Sequence, residues 1–138
     1  MAGRPIAANR ATRHLLGLGH RTVYYLTLPS STAQVAQRTL TAVLCGNDDV
    51  AAGVMRAARE AGRRIPGDLS VAGFDDVPVA AFLAPALTMV RLDFGGLGRT
   101  CFGLLHRLLD LAAPAPGPCD EPTLIVREST GPHRGTSG

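Results

Sequence analysis

The stretch TAVLCGNDDVAAGVMRAAREAGRRIPGDLSVAGFDDVPVAAFLAPALTMVRLD, residues 41–93, decides the fold. It reads as strand, helix, strand, loop and strand. Residues 41–45 are a short apolar run of strand length. Beyond them Ala51, Val54, Met55, Ala58 and Ala61 recur at helical spacing, while Arg56, Arg59, Glu60 and Arg63 fall on the other face. Asp48 is placed to cap this helix and Gly62 to end it. Pro66, Gly67 and Asp68 turn the chain into the apolar strand LSVAGF, residues 69–74. Strand, helix and strand in this order imply a right-handed βαβ unit with parallel strands. Two polar clusters, Asn47-Asp48-Asp49 and Asp75-Asp76, then stand at strand carboxyl ends. Open α/β sheets take small molecules in the crevice at that edge.

The flanking segments extend the pattern. Residues 7–17 read as a helix, with Ala11, Leu15 and Leu16 on one side. Residues 21–28 (RTVYYLTL) are β-branched and aromatic and read as a buried strand. A loop with capping residues, Pro29 to Thr32, precedes a short helix from about Ala33. Residues 77–86 read as a proline-bounded apolar loop with room for one helical turn, and residues 87–92 as a strand. Asp93 is placed to cap a helix to about residue 111, apolar over more than half its circumference and so expected to be buried on two sides. Residues 113–122 are a Pro-rich linker, and 123–128 a last strand. The expected organisation is a partial domain over 1–112, the linker 113–122, a returning strand 123–130 and a disordered tail 131–138. The fold class is α/β, a parallel sheet flanked by helices.

Composition narrows the function. The chain has 138 residues and is 46% hydrophobic, enough for one domain with a real core. No apolar run reaches the length of a membrane span, and the N-terminus lacks the apolar region of a signal peptide, so a cytoplasmic location is expected. The net charge is +3, carried by dispersed arginines with no lysine, and only 4% of residues are aromatic. That is neither a basic stripe nor a stacking platform, so direct nucleic-acid binding by this chain is not expected. Cys45, Cys101 and Cys119 fit no zinc or disulfide spacing, and Cys45 and Cys101 read as buried thiols. The four histidines are scattered, and no metal or cofactor is expected.

GNDDVAAGVMRAAREAGRRIPGDLSVAGFDDVPVAAFLAPALTMVRLDFGGLGR, followed by LIVREST and preceded by RHLLGLGHRT, resembles the LacI/GalR family of bacterial transcription regulators. The resemblance covers most of residues 7–130. It implies a periplasmic-binding-protein-like sensor in which sugars or purines bind between two lobes and shift a dimer's hold on its operator. Set against that family, the chain reads as incomplete: no helix-turn-helix or hinge precedes Met1, most of the N-terminal lobe is missing, and a helix–strand–helix stretch is lacking between Arg38 and the strand at 41–45. The piece present resembles the C-terminal lobe, together with the crossover strands and the helix from Asp93 to Leu111, which look like the late returning part of the N-terminal lobe.

The resemblance implies site residues. Asp75, the first aspartate of the GFDD pattern, would accept hydrogen bonds from ligand hydroxyls or amines, because an ionised carboxylate is acceptor-only. Capping of loop N–H groups is its alternative role. Asn47 matches a position near the ligand, with a turn or αL role as the alternative. Arg38, nine residues after Pro29, has the spacing of the family's ligand-binding arginine, a fork suited to carboxylates, phosphates or vicinal hydroxyls. Asp76 reads as structural. Leu92 stands where the family often has a polar, ligand-facing residue. Val50, Ala52, Val54, Phe82 and Leu83 resemble the dimer surface, with simple core as the alternative.

The expected function is therefore the effector-binding and dimerisation domain of a LacI-type regulator. Its partners would be a sugar- or purine-like small molecule and a second copy or a longer relative. Operator DNA would be contacted only through a helix-turn-helix outside this chain. An interaction-only fragment or a non-functional remnant is the alternative. An Mg²⁺ enzyme built on Asp48, Asp49, Asp75 and Asp76 is the third reading, but no P-loop lysine, nucleophile elbow or Cys/His pair supports it. No catalysis is expected.

Overall fold

The fold is that of a computed structural model, which describes residues 3–27, 35, 37, 39–109 and 117–133. Its elements run α1 (Gly3–Gly17), β1 (Tyr24–Leu26), β2 (Ala42–Cys45), α2 (Asp48–Glu60), β3 (Ser70–Asp75), a 3₁₀ turn (Pro78–Phe82), β4 (Thr88–Arg91), α3 (Phe94–Leu108) and β5 (Thr123–Ile125). The strands form one sheet in the order β1-β2-β3-β4-β5. β1 to β4 are mutually parallel, whereas β5 runs antiparallel to β4, with Val90 opposite Leu124.

Because strand side chains alternate between faces, the all-apolar strands feed two cores. Val43, Cys45, Val71 and Met89 meet α2 through Val54, Met55 and Ala58. Ala42, Leu44, Ala72, Phe74 and Val90 meet α1 through Ala7, Ala11 and Leu15 on the opposite face. Each fully buried aliphatic side chain of this kind contributes about 1.5–3 kcal/mol. Gly73 lies in β3 where a Cβ would come within 3.0 Å of Met89 Cε, so the methionine fills the space a side chain would need.

Several expectations need correction. The strand expected to be buried over 21–28 is three residues long and lies at the sheet edge, with Tyr24 and Tyr25 exposed beside a groove of about 370 Å³ lined by Ala8, Thr12, Val23, Leu44 and Phe74. Strand propensity cannot tell an edge from a centre, because that depends on which neighbours pair with it. Asn47, not Asp48, caps α2: its Oδ1 accepts the Val50 N–H at 2.9 Å. The helix after Asp93 begins as expected, with Asp93 Oδ1 accepting the Gly96 N–H at 2.7 Å. It is not buried on two sides, however; only Gly96 and Gly103 are buried in it. Cys101, carried on that helix, is exposed, whereas Cys45 is buried. The short helix expected from Ala33 lies outside the described residues apart from Val35.

The expected tail also proves to be ordered in its first part. Ser129 is fully buried; its hydroxyl donates to Val71 O at 2.6 Å and accepts the Thr88 N–H at 2.8 Å. The Ser70 hydroxyl accepts the Gly131 N–H at 3.1 Å, and the His133 N–H donates to Leu18 O at 2.8 Å. Residues 127–133 therefore act as a strap that joins β3, β4 and the end of α1. At the other edge Arg63 donates to the carbonyls of Val35, Gln37, Leu40 and Asp68, which ties Val35, Gln37 and Leu40 to the end of α2.

Candidate functional site

Because β1 to β4 are parallel, their carboxyl ends share one edge of the sheet, and the acidic residues gather there. Asp75 ends β3 and pairs in register with Arg91 of β4. Asp75 and Asp76 both have left-handed backbones, with φ of 90° and 62°. L-residues adopt this region at a cost, which persists only where surrounding contacts fix it.

Two contacts do so here. The Asp76 side chain is 1% exposed and sits between two arginines. Its Oδ2 accepts from Arg91 Nε at 2.9 Å and lies 2.7 Å from Arg91 Nη2. Its Oδ1 lies 2.7 Å from Arg127 Nη1, an ion pair without hydrogen-bond alignment. Burial opposes the Asp76 charge, but Arg127 and Arg91 overcome this and hold its pKa below the usual carboxylate value. On the other side Asp48 Oδ1 accepts the Val77 N–H at 3.2 Å, which fixes the residue after the turn. Asp48 is buried, and its Oδ2 has no hydrogen-bond partner among the described residues. Burial, then the charges of Asp75 and Asp76, raise its pKa, against the lowering effect of the Val77 hydrogen bond.

Asp76 thus takes the structural role expected of it, and Asp75 is left half-exposed at the strand end. Asn47 lies on the same edge with its carbonyl committed to the α2 cap. Arg38 lies outside the described residues. Leu92 is half-buried and packs against the α1-side core. Val50 and Val54, expected on a dimer surface or in the core, are 7% and 6% exposed and point into the α2 core, because they share the inward stripe of that helix. Phe82 is 85% exposed and Ala52 half-buried, whereas the half-buried Leu83 packs against the α2 core. Ala52 and Leu83 line a groove of about 320 Å³ with Met55, Arg56, Arg59, Glu60 and Ala84.

Sequence reading missed the Asp48–Val77 bond and the two-arginine grip on Asp76. A signal for the second was present: Arg127 directly follows the apolar run 124–126 within LIVREST. Among the described residues no three His, Cys, Asp or Glu side chains are grouped to hold a metal ion. No helix among them is long and apolar enough to cross a membrane.

A mostly parallel sheet with helices against both faces and a polar carboxyl-end edge defines an open α/β domain. The profile of the periplasmic binding protein-like domain matches residues 8–130, and the chain belongs to that family. Its relatives place it among the ligand-binding domains of LacI/GalR regulators. It is 36% identical to the HTH-type transcriptional regulator reg1 of Streptomyces lividans, over 97% of this chain and 39% of that protein. It is 41% identical to MalR of Streptomyces coelicolor over 73% of this chain and 30% of the relative. Identity is also 41% to the repressor PurR of Salmonella arizonae, over 68% and 28%. The chain thus spans well under half the length of these regulators, none of which is named as an enzyme. Among solved structures, a LacI-family regulator from Corynebacterium glutamicum superposes with a TM-score of 0.75 at 27% identity, covering 89% of this chain and 63% of its own. One from Enterococcus faecium with bound ribose superposes at 0.79 and 23% identity, over 93% and 63%, a likeness of fold.

Proposed function

We propose that this chain is the effector-sensing part of a LacI-type transcriptional regulator and that a small polyhydroxylated molecule, sugar-like in its chemistry, binds at the carboxyl-end edge of the sheet. The observation that carries this reading is the division of labour in the Asp75–Asp76 turn. Asp76 is buried and neutralised by Arg91 and Arg127, so the left-handed turn that it anchors holds Asp75 at the strand end. A carboxylate there can accept two vicinal hydroxyls. Asn47, beyond its cap bond, still has amide N–H donors to offer. Arg38 is assigned as a third contact by its spacing from Pro29. The ribose in the Enterococcus relative supports the choice of ligand class.

The mechanism is a population shift: a ligand that favours one arrangement of the regulator moves the equilibrium towards it without chemistry. Operator contact belongs to the helix-turn-helix of longer regulators, and a partner subunit to the surface of Ala52, Phe82 and Leu83. A pocket normally buries most of its ligand. One sheet edge provides a single wall, so binding is expected to be weak, in the millimolar range. In the test, ¹H–¹⁵N correlation spectra of the chain are titrated with a panel of sugars and purines. Peaks near Asp75 that move with one sugar, and stand still in Asp75→Asn, support the reading. A folded chain blind to every compound refutes it and favours the interaction-only alternative, for which the exposed Phe82 is the motivating feature.

A further inference from the structure

We infer that residues 130–133 form a latch on the amino-end edge of the sheet, closed by histidines and opened when those histidines take up protons together. Three of the chain's four histidines meet there. His14 comes from α1, and its Nε2 lies 2.9 Å from Thr130 Oγ1. His20 follows the turn after α1. Its Nε2 lies 3.2 Å from the Gly131 carbonyl oxygen and 3.0 Å from Ser70 Oγ. His133 brings the third ring, with its centroid 5.4 Å from that of His20. Apart from Pro132, every residue of this end of the strap is met by an imidazole or carries one.

The surroundings favour neutral rings. His20 is buried, and its partners are uncharged: Thr41 ahead of β2, Ser70 of β3 and Gly131 of the strap. A proton on Nδ1 would force the Thr41 hydroxyl to turn from donor to acceptor. His14 faces the hydroxyl of Thr130, which in turn meets Thr88 of β4 at 3.0 Å. Among the described residues no carboxylate offsets a charge on His14 or His20; the charges that bear on His20 are those of His133 and His14. Arg13 and Arg21 beside them in sequence are exposed, Arg127 turns to Asp76, and Glu128 accepts the Ala86 N–H. Burial lowers the pKa of His14, and lowers that of His20 against the raising effect of Gly131. Each proton makes the next more costly, because the rings repel without a counter-charge. The open form, with its rings in water, binds protons at ordinary histidine affinity, so falling pH drives opening.

The rest of the strap does not share this dependence. The Ser129 N–H donates to Ala86 O at 2.9 Å, and its carbonyl accepts the Val71 N–H at 2.8 Å. Its hydroxyl bridges Val71 O and the Thr88 N–H. The latch therefore hinges between Ser129 and Thr130. Acid frees Ser70 and the end of α1, while Arg127 keeps its grip on Asp76 at the opposite edge.

The test is amide hydrogen exchange of the whole chain, read residue by residue at pH 7.5 and pH 5.5 and corrected for intrinsic rates. The Gly131 N–H donates to Ser70 Oγ at 3.1 Å and the His133 N–H to Leu18 O at 2.8 Å, so both amides report the latch. Their protection should fall about tenfold or more at pH 5.5, since each proton taken up on opening is worth up to about tenfold per pH unit. At pH 5.5 it should also be about tenfold or more below that of Ser129 and Val71, and indifferent to dilute urea, as local opening exposes little surface. His14→Gln with His133→Gln changes only half-buried positions and keeps polar atoms there without a titrating charge. It should leave a smaller fall, the part due to His20. Equal protection of Gly131 at the two pH values would overturn the proposal. So would Gly131 and Val71 exchanging at one rate and one urea dependence, which is global unfolding. A fall left unchanged by the double variant would also overturn it, because the three histidines would then not act together.

Discussion

Asp48, the first residue of α2, holds Val77, the residue after the Asp75–Asp76 turn, through a 3.2 Å hydrogen bond to its backbone N–H. The helix that follows β2 therefore sets the geometry of the loop that follows β3. The same carboxylate is unfavourably placed as a charge, with one oxygen unpartnered and two aspartates nearby. Two substitutions separate these effects. Asp48→Asn keeps an acceptor for Val77 and removes the charge. It should stabilise the chain at pH 7 by about 1 kcal/mol, because a neutral amide is less costly to bury than an incompletely partnered carboxylate. Asp48→Ala removes the acceptor of the part-buried Val77 N–H and should destabilise by about 1 kcal/mol. Because the folded pKa lies above 3.8, the protonated group's favourable contribution is full below 3.8 and lost as pH rises through the raised value. Urea midpoints of the two variants, followed from acid to neutral pH, would check this.

Asp76 has the opposite sign. Its pKa is held below 3.8, so its contribution is present above that value and lost as pH falls through the depressed one. Asp76→Asn should cost about 3 kcal/mol at pH 7, because Arg127, mostly buried, loses its counter-charge. The difference from wild type should narrow in acid, as read by thermal melts at pH 7 and pH 3. An equal loss at both values would mean that packing of the turn, not charge, is what the residue supplies.

The βαβ core could be read from 41–93 because each of its elements carries a local pattern: apolar runs of strand length, a 3.6-residue period over α2 and a Pro-Gly turn between them. The position of Asp75 followed from chain order, since a residue just after a parallel strand must stand at the carboxyl-end edge. What could not be read depends on neighbours. Tyr24 and Tyr25 look like core residues until β1 is found at the sheet edge. Val50 and Val54 look like surface only by likeness to relatives, whereas the period of α2 turns them inward. Leu97 and Leu104 have the pattern of a buried helix, but composition does not reveal whether anything covers them. The strap at 127–133 was illegible because its hydrogen bonds span 39 to 116 positions along the chain.

His20 provides a pH test at the base of the sheet. Its Nε2 lies 3.2 Å from the acceptor-only Gly131 carbonyl, so Nε2 carries the hydrogen and Nδ1, 3.1 Å from Thr41 Oγ1, accepts. Burial lowers its pKa below 6.5, against the raising effect of Gly131, and the charges of His133 and His14 lower it further; burial also lowers that of His14. The unfolded chain therefore takes up protons first as pH falls through 6.5, and stability falls with it until the folded histidines titrate. The urea midpoint at pH 5.5 should lie below that at pH 7.5, and His20→Gln should shrink the gap. A gap unchanged in His20→Gln would place the effect elsewhere.

Arg63 ties Val35, Gln37 and Leu40 to the sheet. Its guanidinium donates to four backbone carbonyls, at 2.8 Å to Val35, 3.0 Å to Gln37, 2.5 Å to Leu40 and 2.6 Å to Asp68. Each bond from a charged donor contributes about 1.5–3 kcal/mol at most, and solvent competes for the exposed ones. Arg63→Ala should cost about 2–4 kcal/mol. Arg63→Lys should recover only part, because an ammonium is a compact point charge that cannot span the arc of carbonyls the planar fork reaches. Hydrogen exchange at Leu40 and Val43 should rise in both variants, more in alanine than in lysine. Equal exchange in wild type and Arg63→Ala would show that burial of Val35 and Leu40, and not the guanidinium, holds the segment in place.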